Sequence, residues 1–308
     1  MHRPRKVLII KTGYSEFLDR GISTTVSLGD VLFCTALLHI YKEDHVTWVA
    51  SKDARELLDK NPYIKELLIF GPETIKKITS RTYDIFINLE KDIGICTFLT
   101  SVKARNRFGF YFNPKIYEIS SFIPSTRYLL LGQENHKDIR KSFFEILYQA
   151  VGAEWKGQGA ILFRPHRAME IYDVGFNYSV GTKWPTKAWP MEHWKALERL
   201  LKKKYKVSWQ KGHNHLQRYI DWIDQCRMIV TSDSLGQVIG HALGKPVISL
   251  FGPTNHIRLK GVEHIHVITS PLKCPLMPCY LPFCQNNKFC MDYIAPSIVA
   301  KKCKELLE

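Results

Sequence analysis

The feature that most constrains this chain is an alternation that runs once and then starts again. Short apolar segments at 7–11 (VLIIK), 45–50 (HVTWVA), 67–70 (LLIF) and 84–90 (DIFINLE) read as strands. Stretches at helical spacing lie between and after them, notably 29–41 (GDVLFCTALLHIY) and 139–152 (IRKSFFEILYQAVG). An irregular stretch at 161–173 interrupts this order, and then it resumes. Strands are expected at 174–180, 206–210, 228–233 and 246–252, with helices at 191–203, 215–226, 234–244 and 296–308. Strands that alternate with helices predict parallel sheets covered on both faces. The expected architecture is therefore α/β: two Rossmann-like, doubly wound domains, 1–163 and 164–308, with a cleft between them. No internal repeat or low-complexity tract stands out.

The rest of the sequence narrows the class. The chain has 308 residues, 45% of them apolar, enough for two domains of roughly 150 residues each. No apolar run approaches the roughly 18 residues of a membrane span, and the opening MHRPRKVLII has too short an apolar stretch for a secretory signal. A cytoplasmic location is the expectation, with peripheral contact at the inner face of the inner membrane as an extension of it. The formal charge is +15, which favours anionic partners. Nothing in the pattern matches a zinc finger or an RNA-recognition signature, so nucleic acid is not the expected partner. A basic solvated surface is the plain explanation of the charge.

In open parallel sheets, ligands bind beyond the C-terminal strand ends. Four segments fall there. In SLGD (27–30), Asp30 sits in the first turn of a helix, where a carboxylate is favoured by free N–H groups. Taken alone it reads as a capping residue; facing a ligand it is a general base. In GTKWPTKAWP (181–190), Pro185 and Pro190 frame Lys183 and Lys187 just before a helix, the makings of a phosphate site; a lysine-bearing surface loop is the plain reading. In TSDSLG (231–236), Asp233, Ser234 and Gly236 open another helix, either as a simple cap or as a phosphate and sugar site. FGPTNHIR (251–258) adds a polar turn. A further trio in KARNRFGF (103–110), Lys103, Arg105 and Arg107, offers a grip on an anionic acceptor or ordinary surface charge.

Eight cysteines are present, and Cys274, Cys279, Cys284 and Cys290 crowd one segment with gaps of four, four and five residues. Four thiolates have the count of a tetrahedral structural Zn or Fe site, although the gaps are wider than a CxxC knuckle. Reduced cysteines in a proline-shaped loop are the competing reading. Cys34, Cys96, Cys226 and Cys303 lie in apolar patterns as core fillers.

Taken together, KVLIIK with SLGDVLFCTALL, WPTKAWPMEHW, TSDSLGQVIGHALGKPVISLFGPT and the cysteine-rich tail ending CMDYI resemble glycosyltransferase family 9, the ADP-heptose heptosyltransferases of lipopolysaccharide core assembly. The resemblance implies a GT-B fold, with the acceptor in the N-terminal half and a nucleotide-sugar donor in the C-terminal half. It places the catalytic base on Asp30, the phosphate-binding lysine on Lys187, the donor-binding pair on Asp233 and Ser234, and a hydroxyl near the phosphates on Thr182. The implied reaction is an inverting heptosyl transfer to a hydroxyl of an anionic glycan or glycolipid, with no catalytic cofactor. Transfer to a protein, as in autotransporter heptosyltransferases with a cysteine-rich metal-binding segment, is the alternative within the class. A non-catalytic nucleotide or nucleic-acid binder is the alternative outside it. The chain departs from the family wording at Leu235, where a glycine is usual, and at Val238, where a histidine is usual. It is also shorter between Tyr205 and Met228.

Overall fold

The computed structural model describes residues 3–14, 26–124, 126, 139–182, 184–286 and 289–308. The chain forms two compact units: Met1–Asn135 with Lys141–Phe163, and His136–Arg140 with Arg164–Glu308. Among the described residues, no helix is long and apolar enough to cross a membrane.

The first unit is built on six strands: β1 (Lys6–Ile10), β2 (His45–Ala50), β3 (Ile64–Ile69), β4 (Thr82–Asn88), β5 (Lys103–Asn113) and β6 (Glu118–Ser121). They lie in the order β3-β2-β1-β4-β5-β6, parallel except for β6, which runs antiparallel to β5. Val7 to Ile10 are wholly buried, as expected of a central strand covered on both faces. Helix α1 (Leu28–Cys34) is shorter than its apolar spacing predicts, and a 3-10 turn, Thr35–His39, continues it. The buried Thr35 hydroxyl bonds back to the Leu32 carbonyl and also accepts the Ile161 amide, which tightens the coil there. Helices α2 (Arg55–Leu58), α3 (Pro72–Thr79), α4 (Ile93–Phe98) and α5 (Phe143–Gln149) complete the unit, the last held by a Ser142–Glu145 capping box.

The second unit has five parallel strands in the order β11-β10-β9-β7-β8. These are β7 (Tyr172–Asn177), β8 (Val207–Trp209), β9 (Cys226–Ser232), β10 (Val247–Phe251) and β11 (Ile265–Thr269). Helices α6 (Met191–Leu201), α7 (Leu216–Asp224), α8 (Leu235–Ala242) and α9 (Pro296–Leu307) accompany them. The tryptophans of the 184–194 stretch anchor it to this core. Trp189 and Trp194 are buried edge to face at 4.9 Å, and Trp189 donates to the Ile294 carbonyl.

The β5–β6 hairpin and β11 have no counterpart in the sequence reading. Lysine and arginine mask the strand character of β5, and β11 is a half-exposed edge. Each sheet reverses its strand order at one place, between β1 and β4 in the first unit and between β7 and β9 in the second. Those switch points are where doubly wound sheets open a crevice for ligands.

Candidate active site

In the first unit, residues 11–13 follow β1 at the switch point. The fully buried Glu90, just beyond β4, accepts hydrogen bonds from the backbone amides of Thr12 and Gly13, at 2.5 and 3.2 Å. The Lys11 ammonium lies 4.0 Å from the same oxygen. Gly13 has φ +90°, and an added Cβ would lie 2.9 Å from Val31 and 3.2 Å from the Ser27 carbonyl, so only glycine fits this turn. Its carbonyl accepts the Ser27 amide at 2.8 Å. Ser27 does not cap α1; its hydroxyl donates instead to Asp30 Oδ2 at 2.5 Å. Asp30 thus accepts a side-chain hydrogen bond, and it borders a small, almost wholly apolar cavity with Lys91, Leu89, Phe110, Phe143 and Leu147.

The basic trio lies elsewhere. Lys103 pairs with Thr82 at the start of β4, so Lys103 and Arg105 stand at the N-terminal edge of the sheet, opposite the end that carries Asp30. Arg105 reaches Asp84, while Arg107 donates to the Val102 carbonyl and packs over Phe86. The expectation of these three as an acceptor grip does not fit that placement: parallel strands put Lys103 and Arg105 at the opposite edge, and Arg107, beside Phe86 in mid-sheet, is turned to the Val102 carbonyl.

In the second unit, Lys187 sits in a 3-10 turn, Pro185–Lys187, between the two prolines. Its ammonium lies 2.9 Å from Asp233 Oδ2 and 4.6 Å from the Trp184 ring centre. Burial would raise the Asp233 pKa, but Lys187 and then Arg258 outweigh it and hold the carboxyl below its ordinary value. Two cations around one carboxylate leave a positive balance at the C-terminal end of β9. Beneath lies a neutral web. Asn177, at the end of β7, donates to Thr231 Oγ1 at 2.7 Å and to Ser234 Oγ at 2.8 Å, and accepts from the Tyr219 hydroxyl at 2.6 Å. Burial pushes the Tyr219 pKa up, so it stays a donor. Gly236 packs directly on this web; a Cβ there would fall 2.4 Å from Tyr219 Oη and 2.5 Å from Asn177 Nδ2. Ser234 therefore serves the interior rather than capping α8. Next to it, a cavity of about 370 Å³ is lined by Arg140, Thr254, Asn255, His256 and Ser270 beside Met277 and Pro278. Thr182 is exposed on the preceding turn, and Lys183 lies outside the described residues.

With this geometry in place, comparison with known proteins is informative. The sequence model of Glycosyltransferase family 9 (heptosyltransferase) matches residues 211–288, the segment that holds Asp233, Ser234, Gly236 and Arg258. Over that stretch the chain resembles glycosyltransferase family 9. No curated protein sequence matches it. A family 9 glycosyltransferase from Veillonella parvula DSM 2008 has a similar fold, with TM-score 0.67, 17% identity and coverage of 100% of this chain and 98% of that one. The E. coli ADP-heptose lps heptosyltransferase II is similar at TM-score 0.67 and 16% identity, covering 98% of each chain. The iron-containing dodecameric glycosyltransferase TibC from enterotoxigenic E. coli is similar at TM-score 0.59 and 15% identity, with coverage of 99% of this chain and 76% of that one. The fold is thus that of the GT-B glycosyltransferases, two Rossmann-like units in one chain.

The cysteine-rich segment is tied to the second unit. Thr186 donates to the Leu281 carbonyl, and the amides of Cys279 and Tyr280 both donate to Pro253. Among the described residues, however, no three His, Cys, Asp or Glu side chains converge as a metal site. Cys290 is buried in the core against Gly252, and its thiol is pushed up to about 12, first by burial and then by the neighbouring Cys279, Cys284 and Cys274.

Glu90, Lys91, Asn177 and Arg258 were the residues that sequence reasoning missed. Glu90 and Asn177 lay within predicted strands, and only the strand order brings them to the switch points.

Proposed function

We propose that this family 9 glycosyltransferase is an inverting enzyme that moves a heptose from a nucleoside diphosphate sugar, ADP-heptose in the first instance, to a hydroxyl of an anionic glycan such as a lipopolysaccharide core. The carrying observation is the cluster at the end of β9, where Lys187 and Arg258 surround Asp233 at a switch point beside the start of α8. A positive balance next to a helix N-terminus matches the charge that grows on a departing diphosphate. In this reading, Asp30 takes the proton of the acceptor hydroxyl, the oxygen attacks the anomeric carbon, and the bond to the diphosphate breaks with inversion. Lys187 and Arg258 receive the negative charge, and Asp233 orients the sugar. Lys91, in the cavity of Asp30, supplies the attraction for an anionic acceptor. The relative named for ADP-heptose supports the choice of donor.

A protein hydroxyl as acceptor is the second reading, favoured by the cysteine-rich segment that this chain carries at 274–290. Thermal stabilisation by ADP, GDP, UDP and CDP, followed by release of the matching diphosphate from its sugar donor, tests the proposal. Stabilisation and release with ADP and ADP-heptose are expected; a protein indifferent to all four nucleotides would end it. Mass spectrometry of lipid cores and of candidate proteins then separates the two acceptors.

A further inference from the structure

We propose that Glu90 is a positioning residue for Asp30, acting through the backbone of the loop that follows β1. This inference rests on the reading of Asp30 as the base. The linkage has no gap: Glu90 Oε1 holds the amides of Thr12 and Gly13, the Gly13 carbonyl holds the Ser27 amide, and the Ser27 hydroxyl holds Asp30 Oδ2. Two of the three links run through main-chain atoms of Gly13, whose φ of +90° and contacts with Val31 and Ser27 exclude any larger residue. The origin of the chain is fully buried and sits at the sheet's switch point, so it is fixed by the β1–β4 pairing itself.

A buried carboxylate is a weak choice for stability alone, because its desolvation offsets much of what its partners return. Here it does something an apolar side chain cannot: one oxygen gathers two consecutive amides and so sets the direction of the loop. Since both amides meet the same oxygen, a glutamine carbonyl can reproduce the arrangement, whereas a leucine of similar size cannot. The role is geometric, and the two substitutions separate geometry from charge.

The test compares Glu90→Leu, Glu90→Gln, Ser27→Ala and the Glu90→Leu/Ser27→Ala double variant in the full chain. ADP release from ADP-heptose is followed with acceptor present, and amide hydrogen exchange is measured at Ser27. Glu90→Leu is expected to lower kcat about 10- to 100-fold, the scale of a displaced reacting group, with the acceptor KM within twofold. Glu90→Gln restores most of kcat. Ser27→Ala adds little once Glu90 is leucine, because both act on the same carboxylate. Exchange at the Ser27 amide speeds up at least tenfold, on the order of the lost link, in Glu90→Leu but not in Glu90→Gln. Wild-type kcat in Glu90→Leu, equal loss in the leucine and glutamine variants, or fully additive effects would overturn the proposal. If the wild-type protein releases no ADP, the functional reading fails by itself; the exchange arm still decides the linkage, and an unchanged Ser27 amide in Glu90→Leu sinks it.

Discussion

The two switch points solve different problems with the same topology. In the first unit the crevice is floored by a charge, Glu90, that grips backbone and leaves one carboxylate, Asp30, at the end of a short chain of bonds. In the second the floor is neutral, an amide and three hydroxyls around Asn177, and the charges of Lys187, Asp233 and Arg258 belong to the layer above it. A site that must place a single base needs direction from its floor. A site that must receive a diphosphate needs rigidity below and positive charge on top.

The sharpest way to break this contrast is at the base. Asp30→Asn is expected to lower kcat about 10³-fold, the range of general base catalysis, while ADP still raises the melting temperature. Steady-state kinetics beside a thermal shift would show whether turnover and nucleotide binding separate as the two floors imply. Next in size comes the charged layer. Lys187→Ala removes a charge-assisted contact worth about 1.5–3 kcal/mol, so ADP affinity is expected to fall roughly 10- to 100-fold in calorimetry, with little change in acceptor KM.

The neutral floor is then probed by Asn177→Ala. It strands Tyr219, Thr231 and Ser234 together and is expected to cost about 2–3 kcal/mol in denaturant unfolding, a loss the charged layer cannot hide. The smallest effect is pH-dependent. Because the folded pKa of Asp233 is lowered, its contribution is present above the unfolded value of about 3.9 and is lost as pH falls through the folded value. The stability gap between the wild type and Asp233→Asn should therefore be full at pH 7 and shrink below about pH 4. A gap that does not change between pH 7 and pH 3 would mean that Asp233 gains nothing from its cations.

Much of this layout was open to reading from local pattern. Runs such as VLIIK and PVISLFG reveal central strands, and Asp30, Lys187 and Asp233 stand out because each follows a strand end with a helix start behind it. What stayed hidden depends on pairings between distant segments. Lys103 and Arg105 seemed placed for a ligand until the register set them beside Thr82, at the opposite edge. Glu90 and Asn177 carry no local mark, since their partners lie 77 and 54 residues away. Cys290, grouped by spacing with three other thiols, also packs into the core of the second unit, which spacing alone does not show.

The contact between Lys187 and Asp233 has one more consequence. In the function proposed above, a diphosphate that comes to Lys187 meets a tethered anion, Asp233, and has to displace it or share the ammonium with it. The same anion waits when the spent nucleotide loosens. Under that proposal Asp233 hastens departure as well as delaying arrival.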